Sequence, residues 1–153
     1  MKYCLFLLFL STFLFLGCKK IEKPQFKSIQ NIEISEITKD NASLQADLLL
    51  HNPNIIGYAI ESIDIKVFSK GKELTHISQA VNARFEPESD LHLPVKLAVP
   101  LDKILSQGGL LTAIQSFVEK KITLEFKGDI KISSAGISLK VPFEEEREVF
   151  LHP

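Results

Sequence analysis

Apolar and polar residues alternate along most of this 153-residue chain, and this period of two constrains the fold more than any other feature. Side chains of a β-strand point alternately to its two faces, so each alternating row predicts a strand with one face in a core. The clearest row is Leu91, Leu93, Val95, Leu97 and Val99. Similar rows occupy residues 44–50, 63–67, 122–132 and 137–143.

Turn-forming residues separate these rows. They are Asn52-Pro53-Asn54, Lys70-Gly71-Lys72, the segment 86–90 and Ser134-Ala135-Gly136. Proline, glycine and asparagine favour the backbone angles that reverse a chain. About seven strands at regular spacing predict an all-β fold, an antiparallel sandwich. Pro94 has no N–H to donate, so its strand should lie at an edge or carry a bulge.

One segment has the period of a helix. The residues Leu110, Leu111, Ile114, Phe117 and Val118 are spaced i, i+1, i+4, i+7 and i+8. This spacing forms one face of an α-helix. It predicts one helical crossover between two strands, near residues 101–119.

The N-terminal segment has the layout of an export signal. Lys2 precedes an apolar run over residues 5–16, and small Gly17 precedes Cys18. The run is too short to span a membrane as a helix. The segment resembles a bacterial lipoprotein signal, although Phe15 stands where that pattern prefers leucine. The alternatives are an ordinary secretory signal and a buried helix that contains a cysteine.

The resemblance implies a domain division and a location. Residues 1–17 would be the signal peptide, residues 18–27 the lipidated Cys18 with its tether, and residues 28–153 the folded domain. The protein would be exported and anchored in the cell envelope by its lipid. Lys19, directly after the cysteine, resembles the sorting signal for the outer membrane of a two-membrane bacterium.

Composition narrows the chemistry of the domain. The net charge of −1 provides no basic field for nucleic acid. The two cysteines are Cys4, inside the predicted signal peptide, and Cys18. The folded domain therefore has no cysteine for a disulfide, a thiolate metal site or a nucleophile.

A second resemblance covers residues 26–151. The run from Leu48 to Asn54 ends in Asn52-Pro53-Asn54 and leads through Gly57-Tyr58 into the next strand. With the order of later elements, it is similar to the late-embryogenesis-abundant type 2 family, also called the WHy domain. The resemblance implies a seven-stranded sandwich like fibronectin type III or immunoglobulin domains, with an added helix. For Asn52, Pro53 and Asn54 we expect a structural turn, with ligand contact as the alternative.

No pattern nominates a catalytic, cofactor or metal site. The four histidines are isolated from one another along the chain, with no ligand spacing: His51, His76, His92 and His152. In the acidic run of residues 144–148, neighbouring side chains point to opposite faces of a strand, which favours a solvated, edge-protecting surface. No phosphate loop, dinucleotide fingerprint or nucleophile elbow occurs. We therefore expect a monomeric protein that is not an enzyme.

Two hypotheses about function follow. The first is a membrane-anchored module for envelope stress protection, including desiccation, or for interaction with an envelope protein. The stress role is implied by the family resemblance. The alternative is a domain that binds or transfers a lipid or another hydrophobic ligand, for which an open apolar cavity of several hundred Å³ would be the evidence.

Overall fold

Seven β-strands form the protein in a computed structural model, which describes residues 20–100, 102–103 and 121–150. The strands are β1 (Gln25–Ile37), β2 (Asn41–Asn52), β3 (Tyr58–Ser69), β4 (Lys72–Phe85), β5 (Ser89–Pro100), β6 (Lys121–Ser134) and β7 (Ile137–Phe150). They pair in a three-stranded sheet of order β1-β2-β5 and a four-stranded sheet of order β4-β3-β6-β7. All pairings are antiparallel. The predicted all-β sandwich is confirmed.

The core lies between the two sheets and is formed by the alternating rows. On β2, every second residue from Ala42 to Leu50 is buried, and on β5 the buried row runs from Leu93 to Val99. The facing sheet contributes rows from β3 and β6, and half-buried Gly128 occupies one position of the β6 row. Each fully buried aliphatic side chain stabilises the fold by about 1.5–3 kcal/mol. Burial of these rows therefore holds the sheets together without a disulfide.

The row on β7 departs from the expectation at its first residue. Val141 and Phe143 are buried, but Ile137, at the hairpin turn, is exposed. Among the described residues none buries this end of β7, where the strand follows the exposed turn of residues 135–136. Ile137 was expected to face the core, and that expectation is wrong.

Pro94 lies on an edge strand, as its missing N–H predicts. β5 pairs with β2 on one side, and none of the described strands pairs with it on the other. Pro94 is exposed and stands opposite Asp47 in the register. An edge strand directs half of its N–H groups away from the sheet, so a proline at such a position interrupts no ladder.

Two predicted features fall largely on residues that the structure does not describe. Asp102 and Lys103 are helical, and the rest of the predicted crossover of residues 101–119 lies outside the described residues. The predicted signal peptide of residues 1–17 and Cys18 also lie outside them. At the start of the domain, β1 begins at Gln25 and so includes residues 25–27, which the sequence assigned to the tether.

Two inward-facing charged residues of β7 join the two sheets at one edge. Glu145 accepts a hydrogen bond from the Ile29 N–H of β1 at 2.6 Å. Arg147 forms an ion pair with Glu145 and donates from Nε to the Ile29 carbonyl at 3.3 Å. The side chain of Glu145 is only 16% exposed. Among the described strands β1 pairs only with β2, and these two side chains bond its other edge, so Glu145 is not part of a solvated surface.

We expect Glu145→Ala to lower the free energy of unfolding by about 1–2 kcal/mol, because it leaves the Ile29 N–H and Arg147 without their partner. Glu146→Ala is the matched control, since Glu146 is exposed on the opposite face of the same strand. Its effect should stay within about 0.5 kcal/mol. Urea unfolding followed by circular dichroism measures both. Equal effects of the two substitutions would contradict the closing role of Glu145.

Candidate functional site: the Asn-Pro-Asn end of the sandwich

Four segments that are distant in sequence meet at one end of the sandwich. They are residues 20–24, the β2–β3 loop of residues 53–57, the β4–β5 loop of residues 86–88 and the β6–β7 turn of residues 135–136. The strand registers place them together, because Gln25 pairs with His51, Tyr58 with Phe85 and Ala59 with Ser133. We call these four segments the Asn-Pro-Asn end.

Asn52 is the centre of this end. It is the last residue of β2 and is fully buried, with 0% of its surface exposed. Its Nδ2 donates to the Ile56 carbonyl at 2.9 Å and to the Glu86 carbonyl at 2.8 Å. Its Oδ1 accepts the Asn54 N–H at 3.0 Å. One amide therefore folds the β2–β3 loop on itself and fastens it to the β4–β5 loop.

Asn54 extends this network to the N-terminal segment. It is 3% exposed, and its Oδ1 accepts the Glu22 N–H at 2.8 Å. Its Nδ2 lies 2.8 Å from the Glu22 carbonyl, 3.1 Å from Asn52 Oδ1 and 3.3 Å from the Tyr58 hydroxyl. Its carbonyl accepts the Glu88 N–H at 2.8 Å. The side chain pairs with both backbone groups of Glu22, as a neighbouring strand would.

The chemistry of the motif is that of a satisfied buried turn. Polar groups are costly to bury unless hydrogen-bonded, and both Asn52 and Asn54 use their amides on neighbouring chain segments. Pro53 fixes its own φ between them and restrains Asn52 to an extended backbone. Burial also raises the pKa of the Tyr58 hydroxyl, which adjoins Asn54. Asn52 and Asn54 therefore hydrogen-bond three of the segments that meet at this end.

The three histidines that the structure describes do not converge. His51 contacts Asp90 at 2.7 Å, and His76 contacts Asp64 at 3.0 Å on the other sheet. His92 is exposed, and His152 lies outside the described residues. Among the described residues, no group of three or more histidine, cysteine, aspartate or glutamate side chains could hold a metal ion.

The acidic run of β7 is divided between the two faces of its strand. Glu144 points away from Glu145 and pairs with Lys127 at 3.0 Å. The hydrogen bonds of Lys127 to Glu125 and then to Glu144 raise its pKa. Glu144 therefore pairs with Lys127 and Glu145 with Arg147, and the two glutamates form no carboxylate pair for acid–base chemistry.

An open groove of about 600 Å³ lies beside the Asn-Pro-Asn end, across β3, β4 and β6. It is lined by Gly57, Tyr58, Ala59, Asn82, Ala83, Arg84, Ser133, Ser134 and Ala135. Small and polar residues make up most of this lining, and Ala59 and Arg84 face solvent. The groove is not the apolar cavity between sheets that carriage of a hydrophobic ligand requires.

Within the part of the chain that the structure describes, no helix has the length and apolar character needed to cross a membrane. The fold and the buried turn together define a two-sheet domain that fastens its incoming chain through an Asn-Pro-Asn motif. The family model of the late embryogenesis abundant protein, LEA_2, matches residues 47–147. The chain belongs to the late-embryogenesis-abundant type 2 family.

Similar proteins occur in archaea and plants. An uncharacterized protein of Methanocaldococcus jannaschii is 22% identical over 136 residues, which cover 88% of this chain and 74% of that protein. The solution structure of a protein from Arabidopsis thaliana, with 18% identity, has a TM-score of 0.69 and covers 90% of this chain and 89% of its own. The crystal structure of a protein from Archaeoglobus fulgidus, with 11% identity, has a TM-score of 0.59. The match covers 82% of this chain and 97% of that protein's chain. These two structures share the fold.

The sequence did not indicate the partners of the motif. Glu22 takes part through its backbone alone, and so do Ile56 and Glu86. A backbone group carries no residue-type signal, so these contacts could not be read from the sequence. Pro24 is buried, so part of the segment that the sequence assigned to the tether packs against the domain.

Proposed function

We propose that this protein is a non-enzymatic lipoprotein, anchored at Cys18, whose domain works at the membrane surface of the cell envelope. The observation that supports the proposal is the attachment of Glu22 to Asn54. Both backbone groups of Glu22 are bonded to a buried side chain of the domain. The folded domain therefore begins four residues after Cys18.

This attachment shortens the tether. Four residues span at most about 14 Å, whatever their conformation. A lipid on Cys18 would thus hold the Asn-Pro-Asn end within about 14 Å of the anchored residue, roughly the thickness of two headgroup layers. A long flexible spacer would let the domain take any orientation. A linkage of four residues would keep the Asn-Pro-Asn end at the membrane surface.

The role of the domain is contact with, and protection of, envelope components under desiccation or osmotic stress. Membership of the late-embryogenesis-abundant type 2 family supports this role. Lys19 supports an outer-membrane location. Survival of dried cells that carry wild-type protein or Cys18→Ser would test whether protection requires the anchor.

Cys18→Ser tests the anchor itself. We expect complete loss of metabolic fatty-acid labelling and transfer of the protein from the membrane to the soluble fraction, because serine has no sulfur for the thioether. Cys4→Ser is the matched control, since Cys4 would be removed with the signal peptide, and its labelling should equal that of the wild type. Labelling that persists in Cys18→Ser would show that the anchor assignment is wrong.

A further inference from the structure

Three exposed isoleucines lie at or beside the Asn-Pro-Asn end, each on a different chain segment. Ile21 is 62% exposed, Ile55 65% and Ile137 67%. Ile21 precedes the clamped Glu22, Ile55 follows Asn54, and Ile137 follows the β6–β7 turn. Among the described residues, the remaining exposed large hydrophobic residue is Phe150, which pairs with Lys121 at the opposite end of its sheet.

The location of the three isoleucines in the fold points to a function for them. Single exposed apolar residues are common on soluble proteins and need no explanation. Here, however, three separate segments each present an isoleucine at the end where the chain arrives from Cys18. The isoleucines are thus placed where a lipid-anchored domain meets its bilayer.

We infer that the Asn-Pro-Asn end is a membrane-contacting surface, with Ile21, Ile55 and Ile137 dipping into the interfacial region of a phospholipid bilayer. This inference rests on the proposed anchor at Cys18. The occupant is the bilayer because at most about 14 Å of chain separates Cys18 from Glu22, so this end cannot lie far from lipid. Apolar side chains at that depth gain the free energy of leaving water.

The charges at the Asn-Pro-Asn end indicate whether electrostatic or apolar contact drives its binding to the bilayer. The four segments of this end carry Lys20 and Lys23 against Glu22, Glu86 and Glu88, and Arg84, two residues before the β4–β5 loop, brings the net charge to zero. Arg84 already forms an ion pair with Glu86 at 3.0 Å. A surface with no net charge gains little from anionic headgroups, whose attraction acts on basic clusters. Apolar contact therefore drives the docking, and salt should not reverse it.

The docked orientation places the strands away from the membrane. The β3–β4 turn is at the other end of β3, a strand of 12 residues that spans about 40 Å. Lys72, the first residue of β4, is exposed there. Ile137 and Lys72 therefore make a matched pair of positions at opposite ends of the four-stranded sheet.

Environment-sensitive fluorophores at these two positions test the inference. After removal of the signal peptide Cys18 would be the only native cysteine, and its thioether to the lipid would block it. Ile137→Cys and Lys72→Cys can each be labelled in lipidated protein reconstituted in phosphatidylcholine vesicles. We expect iodide to quench the Ile137→Cys probe about fivefold less than the Lys72→Cys probe, and headgroup-linked nitroxide lipid to quench the former only. Protection should persist in about 1 M salt.

Equal iodide quenching at the two positions in vesicle-bound protein would overturn the inference, as would protection that salt removes. Ile55→Cys, on an independent loop, repeats the test if Ile137→Cys disturbs the hairpin. Fatty-acid labelling and co-sedimentation with vesicles are recorded on the same samples. Their loss would refute the anchor, whereas an exposed probe on labelled, sedimenting protein would refute only the membrane contact.

Discussion

Gly128→Ala is expected to lower the free energy of unfolding by about 3 kcal/mol or more, which could prevent folding. A Cβ at Gly128 would lie 2.0 Å from the Asp64 carbonyl oxygen and 2.9 Å from Cζ of Phe143. Asp64 belongs to the adjacent strand β3, whose backbone is fixed by pairing on both sides. Phe143 is buried and stacks on Phe26 of β1, with ring centroids 4.9 Å apart. The methyl group therefore has no space that neighbours can vacate cheaply.

Gly136→Ala is the matched control. Gly136 has a φ of +80° in the β6–β7 turn, and nothing lies within 4 Å of the position of its Cβ. Gly136→Ala should therefore lower the free energy of unfolding by about 1 kcal/mol, through backbone conformation alone. Urea unfolding of both variants separates steric conflict from backbone strain. A smaller loss for Gly128→Ala than for Gly136→Ala would show that β3 and β6 can separate without penalty.

Asn52→Ala is expected to lower the free energy of unfolding by about 2–4 kcal/mol, because buried polar groups lose their partners. The Ile56 carbonyl and the Asn54 N–H each lose a bond to the Asn52 side chain. The Glu86 carbonyl retains the Ser89 hydroxyl at 2.9 Å, which limits the loss there. The Asn-Pro-Asn end should also open to proteases, since two loops lose their common attachment.

Asn82→Ala provides the control, because Asn82 is an exposed asparagine within β4. Its effect should stay within about 0.5 kcal/mol. Thermal unfolding and limited proteolysis at neutral pH would measure both variants. An Asn52→Ala protein as stable as Asn82→Ala would show that water replaces the lost bonds and that the motif is not a structural centre.

Strands with one strictly alternating row were predictable from the sequence, and others were not. β2 and β5 pair without a register shift over 12 residues, and their buried rows match the sequence pattern. The pairing of β1 with β2 has three register shifts, and Asn31 of β1 has a φ of +51°. The pairing of β4 with β3 has two register shifts. Each bulge changes which parity faces the core, so the apolar period is lost where the strand bends.

Likewise, the Asn-Pro-Asn motif could be located in the sequence, but its hydrogen-bond partners could not. Asn52, Pro53 and Asn54 were recognisable as a turn, since each residue type has a local backbone preference. Their partners come from residues 22, 86 and 88 through backbone atoms. Glu145 differs from Glu144 and Glu146 only by facing β1, a contact between residues 116 apart.

Alternation and turn propensity act between near neighbours in the chain, so they were enough to predict the sandwich, the turns between most strands and, with the Asn-Pro-Asn motif, the family. The tertiary structure decided which segments share an end and an edge. It placed Glu22 on Asn54, Glu145 on β1, and three isoleucines at one end of the sandwich. These juxtapositions depend on strand order and register, which arise from packing between sheets and leave no mark on local periodicity.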